Sequence, residues 1–162
     1  MPDDPLRDQI AALLEGGHAH ATFDHAVEGV TEAELGRRVK GVPHTVWRLV
    51  DHLRIAQRDL LEYSRNRDHQ SPAWPEGYWP HDDAPRGPDP LGDFETMCDA
   101  FREDNAALVG LVRNASVDLL APIPFADGNT LLRNCLVVAD HNAYHLGQLI
   151  VLRRALGTWR DD

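Results

Sequence analysis

His141 and His145 lie four residues apart in a stretch whose leucines and valines recur every three or four positions. On a helix that spacing sets two imidazoles one turn apart on the same face, so that one element offers two ligands to one ion. At about 100° per residue from Val138, His141 falls about 60° and His145 about 20° from the stripe centre, so both face inward. An HxxxH pair also describes two histidines satisfied in a core or on a surface, and both readings stand at this point. His52, about 60° from the Leu49 centre of another helical pattern, adds a candidate third nitrogen. Three neutral imidazoles from two helices leave at least one coordination position open, the pattern of a catalytic rather than a structural ion. Zinc or nickel suits such a donor set, whereas magnesium and calcium want oxygen ligands. Iron commonly pairs two histidines with a carboxylate, for which Asp24 is the candidate.

Other polar residues interrupt apolar stripes. His20 and Asp24 sit within about 20° of the stripe centred on Leu13. They either hydrogen-bond each other as a buried pair or line the same cavity as the tripod. Asp59 and Arg48, seven residues after and four before His52, can orient it, contact an acidic substrate, or form ordinary surface salt bridges. Asp51 and Asp140 point away from their stripes. His18, His25, His44, His69 and His81 share no stripe with the tripod and are expected at the surface.

Four helical patterns must position these groups. They cover about residues 5–28, 44–65, 89–114 and 129–156 and carry apolar stripes such as Leu6, Ile10 and Leu13 or Val46, Leu49 and Leu53. Asp89 followed by Pro90 has the form of an N-cap with proline at N1, and Gly157 follows the last periodic leucine. No long period-two alternation occurs, and Asp127-Gly128 leads into a helix rather than joining two strands. Residues 67–88 are too rich in proline for a helix and hold Trp74, Tyr78 and Trp79, the composition of a loop with aromatic anchors that either pin it or wall a pocket. The expectation is an all-α protein, one four-helix domain over residues 1–162.

The chain has 162 residues, with 16 Lys plus Arg against 26 Asp plus Glu, a net charge of −10. That charge repels phosphate backbones and anionic lipid, so neither nucleic acid nor a membrane surface is expected as partner. The chain lacks an apolar run long enough to span a bilayer, and the opening MPDDPLRDQ has acids where a secretory leader has bases, which points to the cytoplasm. Cys98 and Cys135 sit in helical patterns and are expected as buried thiols. Leu136, Val137 and Val151 lie off the main stripe of their helix, which suggests a second buried side and a homodimer.

The segments HTVWRLVDHLRIAQRDLL and ADHNAYHLGQLIVLRRALGTW resemble the DinB/YfiT-like superfamily, and the likeness spans nearly the whole chain. The resemblance implies up-down-down-up connectivity, a divalent metal held by His52, His141 and His145, and commonly a homodimer. Gly147 and Gln148 complete the motif, so Gln148 joins His20, Asp24 and Asp59 as a residue expected around the pocket. Leu146 stands where family members often carry arginine. Characterised relatives include low-molecular-weight thiol S-transferases and a mycothiol-dependent isomerase. The expected activity is therefore transfer of a low-molecular-weight thiol to a small electrophile. A metal-dependent hydrolase and a non-catalytic stress protein that binds a metal or small ligand are the alternatives.

Overall fold

Short polar side chains fix where the helices begin. Asp4, Thr22, Thr45, Asp89 and Thr130 each accept a hydrogen bond from a backbone N–H two or three residues on, which satisfies a donor the first turn leaves unpaired. In this computed structural model, which describes residues 4–160, the chain forms α1 (Pro5–Glu15), α2 (Phe23–Val27), α3 (Glu32–Leu35), α4 (Val46–Arg65), α5 (Pro90–Arg113) and α6 (Leu131–Leu156), with one 3-10 turn at Glu76–Tyr78. The described residues form no strand, only an isolated antiparallel bridge between Pro122 and Thr130. Among the described residues no helix is long and apolar enough to cross a membrane.

The three longest helices lie where the periodicity places them, but the first pattern divides. Gly16 and Gly17 take φ of 80° and 82°, left-handed values that end α1, and the chain restarts at Thr22. The buried face of α1 is Ile10, Ala11 and Leu14, and Leu6 and Leu13 are exposed. The break takes His20 and Asp24 off the inward stripe expected of them, and both are exposed. Arg153, buried within α6, recaptures the interrupted segment by donating to the carbonyls of Ala26 and Glu28. Its guanidinium also lies 3.4 Å from the buried carboxylate of Glu34 on α3.

Contacts between helices set their register. Gln57 and Arg58 on α4 meet Phe101 and Asp104 on α5, so the two helices advance in the same direction. On the other side of α4, His52, Gln57 and Ser64 meet His145, Asn142 and Asn134, so α6 runs the opposite way. Arg7 and Leu14 of α1 meet Val112 and Asn105 of α5, again antiparallel.

The core is divided. One apolar cluster gathers Phe23, Leu49, Leu53, Phe94, Leu146 and Leu149; another gathers Ile10, Leu14, Leu61, Leu108, Cys135 and Val138. Between them in the sequence of every long helix stand polar residues: Gln57 on α4, Asp104 and Asn105 on α5, His141, Asn142 and His145 on α6. Gln57, almost wholly buried, ties this layer together by donating to the Phe101 carbonyl and accepting from Asn142.

The break at Gly17 is testable. In a continuous helix, alanine at this position stabilises by about 1 kcal/mol. With φ at 82° and Thr22 Cγ2 3.1 Å from where a Cβ would stand, Gly17→Ala is instead expected to destabilise. The loss should be about 1–2 kcal/mol. Chemical denaturation of the variant against the parent distinguishes the two signs.

Candidate metal centre

His52 projects from α4 and His141 and His145 project from successive turns of α6. The Nε2 of His52 lies 3.1 Å from Nε2 of His145 and 3.0 Å from Nε2 of His141. Nδ1 of His52 is 2.7 Å from the carbonyl oxygen of Tyr78. A carbonyl only accepts, so Nδ1 carries the proton and, in the neutral ring, Nε2 is left with a lone pair. On the far side of the cluster, Nδ1 of His145 faces Gln148 Oε1 at 3.0 Å and donates to it, which presents its Nε2 in the same sense.

The lone pairs of His52 and His145 thus face each other at 3.1 Å with no proton between them, and a shared cation removes the repulsion. One ligand atom from each of the three histidines lies within 4.8 Å of the others. Nitrogens bound tetrahedrally at 2.0–2.1 Å from one ion would be separated by roughly 3.3 Å, close to the 3.1 and 3.0 Å from His52 to His145 and His141. The three histidines therefore fit a single metal ion. Burial holds the rings neutral: it pushes His52 down to about 4 against the opposing pull of the Tyr78 carbonyl, with a smaller contribution from His145. His141 is pushed down to about 4 by burial and by its two neighbouring imidazoles. His145 is lowered by burial, partly offset by Gln148.

The connector between α4 and α5 completes the site. Trp79 stacks on His52 with ring centres 3.7 Å apart and planes 2° from parallel, and it stacks on His44 at 3.9 Å. Tyr78 donates its hydroxyl to Asp59 at 2.7 Å, and His69 bonds the other Asp59 oxygen at 2.8 Å. Burial and the Asp59 carboxylate raise the Tyr78 hydroxyl to about 12, so it remains a donor. Asp59 thus does not touch His52; it anchors the tyrosine whose main chain does. Arg48 lies over Trp79 and reaches Asp83, whose carbonyl accepts from the Thr45 hydroxyl and so ties the connector to the start of α4.

The expected residues separate into two places. Gln148 sits against the cluster and Asp59 one residue removed from it, whereas His20 and Asp24 are absent from its contacts. His20 bonds the neighbouring Ala21 carbonyl, and Asp24 pairs with Arg102. His44 and His69, expected at the surface, are half-buried, the first against Trp79 and the second against Asp59. Periodicity could not place them because both lie outside helices; proximity to an aromatic, proline-rich segment was the available signal. Cys98 and Cys135 are buried free thiols, raised to about 12 and about 11 by burial, and neither belongs to the cluster.

A family model described as the DinB superfamily matches residues 17–149. No curated protein and no solved structure matches the chain.

For protein stripped of metal with a chelator, the depressed histidines set an acid limit. The unfolded rings take up protons near pH 6.5, while His52 and His141 in the fold resist until about pH 4. Stability should therefore fall as pH drops from 6.5 to 4 and stop falling on their account below that. Each ring contributes a slope of at most about 1.4 kcal/mol per pH unit. Urea unfolding across this window checks the trend, and His141→Ala should make it shallower.

Proposed function

The chain belongs to the DinB superfamily, and on that footing we propose that it is a metal-dependent enzyme joining a low-molecular-weight thiol to a small electrophile. His52, His141 and His145 hold a zinc or nickel ion in this reading. The observation that carries it is the convergence of three Nε2 atoms, with the His52 proton pinned to a carbonyl on the opposite side of the ring. A divalent ion bound there supplies a Lewis-acidic position at which a thiol, ordinarily protonated at neutral pH, ionises readily.

The chain's own residues provide orientation and dryness. Tyr78 and Gln148 fix which nitrogen of His52 and His145 bears hydrogen. Trp79 covers one face of His52, and Tyr144 sets its ring edge against His145 at 4.9 Å, so apolar surface flanks the cluster. In the net reaction the thiol S–H bond and the bond from the electrophilic carbon to its leaving group break, one sulfur–carbon bond forms, and the proton departs with the displaced group. A hydrolase would use the same donor set with water as nucleophile. A non-catalytic stress protein would use it to clamp α4 to α6.

The same reading takes the chain as one up-down-down-up four-helix domain working in the cytoplasm. The shared direction of α4 and α5, with α1 and α6 opposed to them, supports that connectivity, as does a connector long enough to return from the end of α4 to its start. Leu136, Tyr144 and Val151 stand exposed on α6 and are proposed to meet a second copy.

Protein purified without an affinity tag should carry about one zinc or nickel per chain by elemental analysis. The metal-loaded form should consume a chromogenic electrophile with at least one common cellular thiol. His52→Ala combined with His145→Ala should lose both properties while keeping its helical circular dichroism. A bound metal with no thiol accepted would overturn the transfer and leave the centre standing, and a variant that merely melts early with no reaction affected would favour the clamp. Sedimentation at micromolar concentration should show a dimer that Val151→Glu weakens.

A further inference from the structure

Residues 35–50 carry Arg37, Arg38, Lys40 and Arg48 and no acid, on a chain whose net charge is −10. A basic run on such a chain is a local exception to its field, and where the fold places it decides what it attracts. Its last member, Arg48, lies beside the histidine cluster. Arg48 stands one turn before His52 on α4, with its guanidinium 6.0 Å from the centre of the Trp79 ring. That ring stacks on His52 at 3.7 Å and meets His145 edge-on at 5.8 Å. His44, on the same run, also stacks on Trp79, at 3.9 Å.

The acid that faces this run is Asp83, and it belongs chiefly to Arg38. Arg38 holds it through Nε at 2.9 Å and through a second, shorter contact, whereas Arg48 reaches it only at 3.4 Å, beyond the usual length of an N–H···O bond. The Asp83 carboxyl sits below its usual range with Arg38 as the largest cause. Asp51 and Asp82 are engaged by Arg54 and Arg86. Two guanidiniums thus share one carboxylate, and the charge of Arg48 is incompletely offset. Pinning the connector does not require Arg48 either, because the Thr45 hydroxyl already donates to the Asp83 carbonyl at 2.6 Å. The Arg48 side chain is 22% exposed, so a ligand can reach it. Burial, then Arg48 itself, push His44 below its ordinary value, which makes that ring a neutral wall rather than a second cation.

Resting on the thiol-transfer reading, we propose that the thiol taken by this centre is acidic: its carboxylate pairs with Arg48 while its sulfur points past Trp79 to the histidine cluster. A guanidinium fork matches a carboxylate, so the contact orients the thiol as well as holding it. Arg48 is then a specificity residue, from which a neutral or cationic thiol gains nothing.

Mercaptohexanoate, mercaptohexanol and aminohexanethiol have similar lengths and are an anion, a neutral molecule and a cation at neutral pH. Titrated calorimetrically into the zinc-loaded full chain with no electrophile present, mercaptohexanoate should bind at least about tenfold more tightly than either of the others. Arg48→Gln should erase that preference, and Arg48→Lys, which keeps a point charge without the planar fork, should restore part of it. Arg37→Gln removes the same charge from an exposed position on the same run and should leave the preference as in the parent. Equal binding of the three thiols to the parent would overturn the proposal whatever the variants do. So would a preference that survives Arg48→Gln, or an Arg37→Gln effect as large as that of Arg48→Gln, which would mean a diffuse field instead of a contact. In each of those cases thiol transfer still stands if mercaptohexanol is consumed with the chromogenic electrophile. If none of the thiols binds or reacts, the transfer reading fails and this inference with it.

Discussion

One hydrogen bond decides what the histidine cluster can do: His52 Nδ1 to the Tyr78 carbonyl, at 2.7 Å. Were the proton on the other nitrogen, His52 would donate into the cluster and the three rings would satisfy one another as an ordinary buried network. With the proton held by a carbonyl, the ring must turn an acceptor toward His141 and His145. The difference between a polar core and a ligand set thus rests on a contact outside the cluster. That contact depends in turn on Asp59 and His69, which hold the tyrosine where its main chain can reach.

The divided core has a related logic. A polar layer crossing a helical bundle forgoes apolar burial, and it is tolerable only where its members satisfy each other. Gln57 meets that condition by bonding both a backbone carbonyl and Asn142. Arg58 and Asp104 do so as an ion pair at 2.6 Å. The histidine cluster adjoins this layer, which Gln57 and Asn142 tie to α6.

Much of this was legible in the sequence, and the exceptions share a cause. Helices α4, α5 and α6 announce themselves by long periodic stripes and by Thr and Asp caps. Facing angles turn the three histidines inward, since a rigid helix converts spacing into direction, while their role as a ligand set came from the family resemblance. The first pattern misled because Gly16 and Gly17 fit the stripe by position while their left-handed backbone breaks it. Helical spacing carries no information about φ, so His20 and Asp24 were placed on a face that does not exist. The Tyr78 carbonyl left no trace either, since every residue has one and only the path of the loop gives it a role.

The supporting acceptor on His52 belongs to the main chain, and this has a consequence for how such a site drifts over generations. An oxygen common to all residue types cannot be deleted by exchanging the side chain at position 78. What inheritance has to preserve is the course of the loop, and many different anchors can preserve a course. Among descendants of one ancestor, the segment over the histidines is therefore free to diverge in spelling while delivering the same atom to the same ring.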